Sequence, residues 1–426
     1  MQHLLKRYSH TLMLLLCALS TAGILSAQTK GTVTIKGETV ERNSRVVYLL
    51  PKTMTIRSDE KISIPIRNNR FEYTFTPPNM ETYELVFQDE YEEGTWFAIN
   101  FFPDSSTLLM KLYPKEKNAR NLIIGGAYNR AYNQIKQQLD DNFSTVEKIN
   151  ADYFSKLSEE QKYSLEFIAT LKELRTRKKD EPVVPIYEKM ETLRKTGAHL
   201  SDTGKVWMNR LDSIAKAKLA FKYNIISTTP HPAHFYLIYE DLLYRVNDHK
   251  DLLSMFDNAV IKYSELYPDM VYTALTTEKM NSLKNIYPGK NFIDVTAEQV
   301  NGDTILLSSL MKHKITLLNL WGSWCGPCIE KTQKVKPLYD QYQSKGFGII
   351  GIAREFKDTK AMYNRIQKDN YNWVNLIELN DRFGIWNKYG IQNAAGMQLL
   401  VDEQGKILIV NPTAEEVEQV LKKQLN

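Results

Sequence analysis

A chain of 426 residues with 43% apolar and 11% aromatic content can bury the cores of two or three domains. Its formal charge of +5 falls to +3 once a leader carrying Lys6 and Arg7 is removed, too slight an excess to argue for nucleic acid. No segment is low in complexity, and no repeat with a period of about 20–50 residues marks a solenoid.

The chain opens with MQHLLKRYSHTLMLLLCALSTAGILSAQ: a basic start, an apolar run from Leu12, then small residues. That is the order of a secretory signal peptide. The apolar core, Leu12 to Leu19, is shorter than the roughly 20 residues that a bilayer-crossing helix needs. The reading assigns residues 1–27 to the signal peptide, with cleavage after Ala27 despite the non-ideal Leu25, and a periplasmic mature protein. A lipid anchor on Cys17 is the alternative, against which Leu16 stands where a small residue is expected.

Residues 28–125 read as a β-sandwich-like domain. KGTVTIKG and NRFEYTFT alternate, SRVVYLLP is β-branched and apolar, YELVF and TWFAINFF follow, and Asn, Pro and Gly lie between them. The acidic run QDEYEEG, Gln88 to Gly94, reads as an exposed turn and not a metal cluster.

Residues 126–285 change texture. YNRAYNQIKQQLDDNF, SEEQKYSLEFIATLKELRTRK, GKVWMNRLDSIAKAKLAFKYN and KDLLSMFDNAVIKYSEL carry apolar residues at helical spacing. Pro182, Pro185, Gly197 and the stretch Ser227 to Phe235 interrupt them. The basic run Arg175 to Lys179 meets Asp180 and Glu181 at once and reads as a solvated helix end, not a nucleic-acid or lipid patch. His231 and His234 flank Pro232 and read as a capped turn, not a metal site. The aromatic stretch FYLIYEDLLY reads as core.

Residues 286–426 alternate strand and helix, an α/β pattern with two parallel strands and an appended hairpin. NGDTILLSSL offers a turn at Asn301-Gly302. KITLLNLW is a continuous apolar run with one polar interruption, Asn319, as a central strand should be. FGIIGIA is a second buried strand. MQLLVDEQGKILIV turns at Asp402 to Gly405, and EEVEQVLKKQL closes as a helix.

Between the first buried strand and its helix stands WCGPC, which holds Cys325 and Cys328, the only cysteines outside the leader. The pair could be redox-active, half of a metal site, or a structural clip. A clip across two residues constrains the unfolded chain little, because the benefit grows with loop length. Zinc takes four ligands, and no second Cys/His pair has the spacing. A helix N-terminus offers free N–H groups and a partial positive charge, which favour a thiolate. Cys325 is then expected at the exposed end as nucleophile, with Cys328 one turn in, shielded and resolving. Pro327 fits the first turn, where its missing N–H is no loss.

WCGPC after an apolar strand ending in Trp321 resembles the thioredoxin active site, and GFGIIGIAREF with LLVDEQGKI resembles the TlpA/ResA type of extracytoplasmic thioredoxin-like oxidoreductase. The likeness covers roughly residues 286–426. A weaker one links the β and helical regions to the module of unknown function that often precedes such domains. The resemblance implies a thiol-disulfide oxidoreductase without cofactor or metal. Its partners are protein disulfides or dithiols and a membrane electron donor, and the alternative is a non-catalytic binding protein on the same scaffold. It gives Cys325 the attacking role, Cys328 the resolving role, and Trp324 and Pro327 the shaping of the loop. Gly326-Pro327 resembles reducing thioredoxins, so the expected direction is reductase.

Four positions depart from the pattern. Asn319 falls where cytoplasmic thioredoxins keep a buried carboxylate, and it cannot take up a proton. The glutamate often found three residues after the second cysteine is Lys331 here, with Glu330 one residue earlier, about 100° round the helix. A helix-kinking proline is replaced by Gln333, with Pro337 one turn later. The cis-proline that faces the active cysteine falls on Ala395 or Gly396, so a trans peptide is expected, with Gly396 absorbing altered backbone angles.

Overall fold

The computed structural model describes residues 31–56, 60–178, 181–391 and 396–425. The signal-peptide reading and Ala395 lie outside the described residues. The architecture is an N-terminal all-β region, a helical middle and a C-terminal α/β thioredoxin fold.

In the β region, β1 (Val33–Thr39), β2 (Val46–Pro51), β3 (Ile62–Pro65), β4 (Arg70–Phe75) and β5 (Tyr83–Phe87) lead to a short helix, α1 (Gln88–Glu92). β6 (Ile99–Phe101), β7 (Thr107–Leu112) and β8 (Leu122–Ile124) complete two four-stranded sheets, ordered β4-β1-β7-β8 and β3-β2-β5-β6. Alternating residues such as Ile35, Val47, Leu49, Leu85, Phe101 and Leu108 close the core between them. Two expectations are corrected. Trp96 and Phe97 precede the strand and stay exposed. The acidic run is a helix that buries Glu90 against the Arg42 guanidinium, which also lies on the Phe87 ring. A buried carboxylate needs such a partner.

The middle region holds α2 (Ala127–Lys156), α3 (Glu159–Lys162), α4 (Leu165–Thr176), α5 (Val184–Lys195), α6 (Asp202–Thr228), α7 (Pro232–Tyr244), α8 (Leu253–Leu266) and α9 (Val271–Asn285). The aromatic stretch is α7, whose Phe235, Tyr236, Ile238 and Leu242 are central to the helical core. His231 caps its N-terminus by accepting the Ala233 N–H at Nδ1. Burial lowers the His234 pKa to about 4, with His231 adding repulsion. Tyr272 Oη accepts the Thr82 N–H and Tyr236 Oη accepts from Asn100, so buried tyrosines join the helices to the sandwich.

The C-terminal region contains β9 (Thr296–Gln299), β10 (Thr304–Leu306), β11 (Ile315–Trp321), α10 (Gly326–Tyr342), β12 (Phe347–Glu355), α11 (Lys360–Asp369), β13 (Val374–Leu379), α12 (Ile385–Lys388), β14 (Met397–Asp402), β15 (Ile407–Val410) and α13 (Ala414–Leu425). Its sheet runs β10-β9-β13-β12-β11-β14-β15. β11, β12 and β13 are parallel, one strand more than expected from the sequence, and β14–β15 is the antiparallel hairpin. All seven residues of β11 and all nine of β12 are buried, as central strands covered on both faces must be. α10 runs through Pro337 without a break.

Two contacts tie the helical middle to this fold. Lys279 of α9 donates to the carbonyl of Gly390, while Ser282 fills the space beside that glycine. α5 lies against α10, joined through Glu330 and Lys334.

Candidate active site

β11 delivers the chain to a turn at Gly322–Trp324, and α10 starts at once. Cys325 is its N-cap, joined by a disulfide to Cys328, and the Cys328 N–H points to Cys325 Sγ at 3.1 Å. The sulfur of the first cysteine thus occupies the place of an N-capping oxygen, where backbone N–H groups favour negative charge. Pro327 sits in the first turn and is exposed, as is Gly326.

Exposure corrects one expectation. Cys325 is 3% exposed while Cys328 is half-buried, so the residue read as the exposed nucleophile is the more covered of the two. Approach to Cys325 Sγ is narrow.

The loop before the pair is fixed from β12. Ser323 donates to Glu355 twice, from its backbone N–H and its hydroxyl, both at 2.7 Å. Burial raises the Glu355 pKa, and the two Ser323 bonds act against that rise. Trp324 Nε1 donates to the carbonyl of Arg354 at 3.0 Å, and its ring lies beside Phe356. Arg354 in turn makes a two-pronged ion pair with Asp381, both bonds at 2.6 Å. Glu355 and Arg354 were not singled out in the sequence. The only signal was a charged pair ending an otherwise apolar strand, GIAREF.

Under the helix, Asn319 is 1% exposed. Its Nδ2 donates to Thr332 Oγ1 at 3.0 Å, and its Oδ1 accepts from Gln398 Nε2 at 3.1 Å. Thr332 passes its own hydrogen to the carbonyl of Cys328 at 2.8 Å. A chain of neutral hydrogen bonds therefore runs from β14 through β11 to the backbone of the second cysteine.

Gly396 begins the strand on the far side. A Cβ there would lie 2.1 Å from the Leu320 carbonyl oxygen and 3.2 Å from Cys328 Sγ. The peptide that precedes Gly396, and with it the expected backbone angles, falls on Ala395 and lies outside the described residues. Glycine is needed because β11 and the disulfide leave no room for a side chain. No peptide among the described residues is cis.

Glu330 lies elsewhere. Its carboxylate accepts the N–H groups of Val184 at 2.9 Å and Val183 at 3.2 Å, capping α5. Among the described residues no cluster of His, Cys, Asp and Glu could hold a metal ion, and no helix is long and apolar enough to cross a membrane.

A central parallel strand that turns through Cys-X-X-Cys into a helix, with an antiparallel hairpin beyond, defines a thioredoxin-like protein. The sequence model of the AhpC/TSA family matches residues 288–410. Thiol-disulfide oxidoreductase ResA of Bacillus anthracis is 30% identical over 138 residues, which cover 32% of this chain and 77% of that protein. A thioredoxin-like protein of Haemophilus influenzae is 24% identical over 134 residues, covering 32% and 70%. Among solved structures, the thioredoxin domain of a thiol-disulfide oxidoreductase from Bacteroides vulgatus is similar at 22% identity and a TM-score of 0.30, covering 33% of this chain and all of that one. The chain belongs to the ResA family of thiol-disulfide oxidoreductases.

Proposed function

We propose that this protein is a periplasmic reductase of protein disulfides that works through Cys325 and Cys328 and is recharged by a membrane electron donor. The observation that carries the reading is the Cys328 N–H aimed at Cys325 Sγ across the first turn of α10. That N–H and the helix terminus stabilise a Cys325 thiolate over the thiol. The thiolate attacks one sulfur of a substrate disulfide; a new S–S bond forms, the old one breaks, and the departing sulfur leaves as thiolate. Cys328 then loses its proton and attacks Cys325 Sγ, releasing the second substrate thiol. The pair has given up two electrons and the one proton of Cys328, so the donor must return two electrons, with one proton, to restore the Cys325 thiolate and the Cys328 thiol. Asn319 cannot accept the Cys328 proton, so water takes it. Trp324 and Pro327 hold the shape of the loop, and Gly396 lies on the facing side.

The Gly326-Pro327 spacer supports the reducing direction, being the spacer of thioredoxins with potentials near about −270 mV. The apolar leader supports a periplasmic location, with a lipid anchor at Cys17 as the alternative. N-terminal sequencing should find a mature chain beginning at Gln28, and a retained leader or a lipidated Cys17 would overturn the soluble form. With dithiothreitol as donor, the mature protein should catalyse insulin reduction. Cys325→Ser should abolish turnover, and Cys328→Ser should accumulate a mixed disulfide. Absence of turnover in the wild type would favour a binding protein on a retired scaffold. Equal reactivity of the two thiols towards alkylation at neutral pH would overturn the assigned asymmetry.

A further inference from the structure

The helical middle reaches the disulfide end of the thioredoxin fold through α5. Two ties hold it to α10: Val184 N–H to Glu330, and Glu188 to Lys334 Nζ at 3.1 Å. Both pairs are separated by 146 residues in sequence. Equal offsets at ties four residues apart mean that the two helices run parallel and in register, each using one face. The N-terminus of α5 therefore points the same way as the N-terminus of α10, towards the cysteines. Val184 stands level with Glu330, five residues or about 8 Å along the axis from Cys325. Glu330 shares its helix face with Pro327, three residues earlier. The segment entering α5 is thus beside the exposed Gly326-Pro327 shoulder. Glu181 and Pro182 are exposed there, with Val184 buried beneath them, and Tyr187 is exposed one turn farther along, level with Gln333.

We infer that residues 181–187 form a second wall of the substrate groove, and that this wall selects a disulfide carried on an extended, flexible polypeptide over one on a folded surface. The inference rests on the proposed exchange at Cys325. Two observations point to an extended strand as the occupant. Cys325 is 3% exposed, so only a thin segment reaches its sulfur. By the helix register the segment entering α5 runs alongside the Gly326-Pro327 shoulder and extends it with exposed peptide groups, with Tyr187 one turn beyond. Glu330 and Lys334 act as positioning residues that hold the wall in place. This is a use for Glu330 different from the proton transfer expected of an acid near that position.

The test compares kcat/KM of the full mature protein on three probes: hydroxyethyl disulfide, a synthetic peptide with one disulfide in an unstructured segment, and a folded domain with one surface disulfide. Lys334→Met combined with Glu188→Gln removes the second tie without stranding a charge. The preference for the peptide over the folded domain should fall about tenfold, the equivalent of 1.4 kcal/mol, with hydroxyethyl disulfide turnover unchanged. An unchanged preference overturns the inference. Should the double variant fail to fold, hydrogen exchange of Cys328→Ser decides. Capture of the peptide should slow exchange across residues 181–187, and unaltered exchange there overturns the wall. A wild type unable to reduce hydroxyethyl disulfide refutes the underlying exchange reading. Turnover with no preference refutes only the wall.

Discussion

Asn319→Asp places a carboxyl where the thioredoxin pattern expects one, and the surroundings dictate how it behaves. The site is 1% exposed. One carboxyl oxygen inherits the bond from Gln398 Nε2. The other faces Thr332 Oγ1, whose hydrogen already goes to the carbonyl of Cys328. An ionised carboxylate would meet an oxygen lone pair there, whereas a protonated carboxyl donates to it as Asn319 Nδ2 does now. Burial and hydrogen bonding therefore both favour the neutral form. Fully buried carboxyls rise by up to about 3–5 units, and a rise of about 3 from about 3.9 puts this one close to pH 7.

The sign follows from linkage. Below about pH 4 the carboxyl is protonated in both folded and unfolded chains, and the variant bears no ionisation penalty. As pH rises the unfolded chain releases its proton first, so stability falls by about 1.4 kcal/mol per pH unit, reaching about 4 kcal/mol near pH 7. In exchange, the variant gains a proton acceptor beside the backbone of Cys328. Its pH–rate profile for release of the mixed disulfide should acquire an inflection near pH 7 that the wild type lacks. Urea unfolding from pH 4 to pH 8 and stopped-flow exchange over the same range measure the two effects. A stability difference independent of pH, with an unaltered rate profile, would refute the placement of Asn319 beside the pair, buried and hydrogen-bonded.

Gly396→Ala drives a Cβ against the Leu320 carbonyl, a backbone atom that cannot swing aside. It should lower stability by about 1–3 kcal/mol and slow exchange, both measured on the purified variant. Lys279 is held by a single carbonyl in a desolvated site, and its pKa is lowered to about 8. The folded form thus releases a proton that the unfolded chain keeps up to 10.5. The penalty is full below pH 8 and relieved as pH climbs towards 10.5, so Lys279→Met should stabilise the protein by about 2 kcal/mol at pH 7, after allowing for the lost hydrogen bond, and not at pH 10.5. Ser323→Ala removes one of two bonds to Glu355. It should loosen the turn and broaden the pH dependence of Cys325 alkylation, while a Ser323→Thr variant retains a hydroxyl and should restore it.

Much of this fold is visible as pattern. KITLLNLW and FGIIGIA are unbroken apolar runs because both faces of their strands are covered. WVNLIEL became the third parallel strand but escapes the same reading, since Asn375 and Glu378 interrupt it. Their partners lie in loops: Glu378 accepts the N–H groups of Phe383 and Gly384, and burial raises its pKa to about 7. The cysteines were legible because chemistry and helix start coincide within four residues. Glu355 was not, because Ser323 stands 32 residues away. For the same reason Glu90 read as exposed, its Arg42 partner being 48 residues distant. The covering of Cys325 was equally out of reach, because burial depends on which chain segments meet in space.

The departures from the family pattern acquire a common meaning in three dimensions. A glutamate on the cysteine-facing side of α10 would serve proton transfer, whereas Glu330, about 100° away, serves as the cap of α5. Elsewhere, Gly390 receives Lys279 and packs against Ser282, six residues before Gly396, where a Cβ would come within 3.2 Å of Cys328 Sγ. The helical middle thus binds the thioredoxin fold at two places, the helix that starts at the pair and the turn at Gly390. At the centre, the ionisable group of cytoplasmic thioredoxins is replaced by Asn319 in a chain of neutral hydrogen bonds. An appended region that binds the helix carrying the cysteines can influence what reaches them, and a pair without an internal proton acceptor depends on what the approaching partner and solvent supply. In the proposed exchange the two features act together: the proton acceptor is external, and α5 of the appended region lies against the helix that carries the pair.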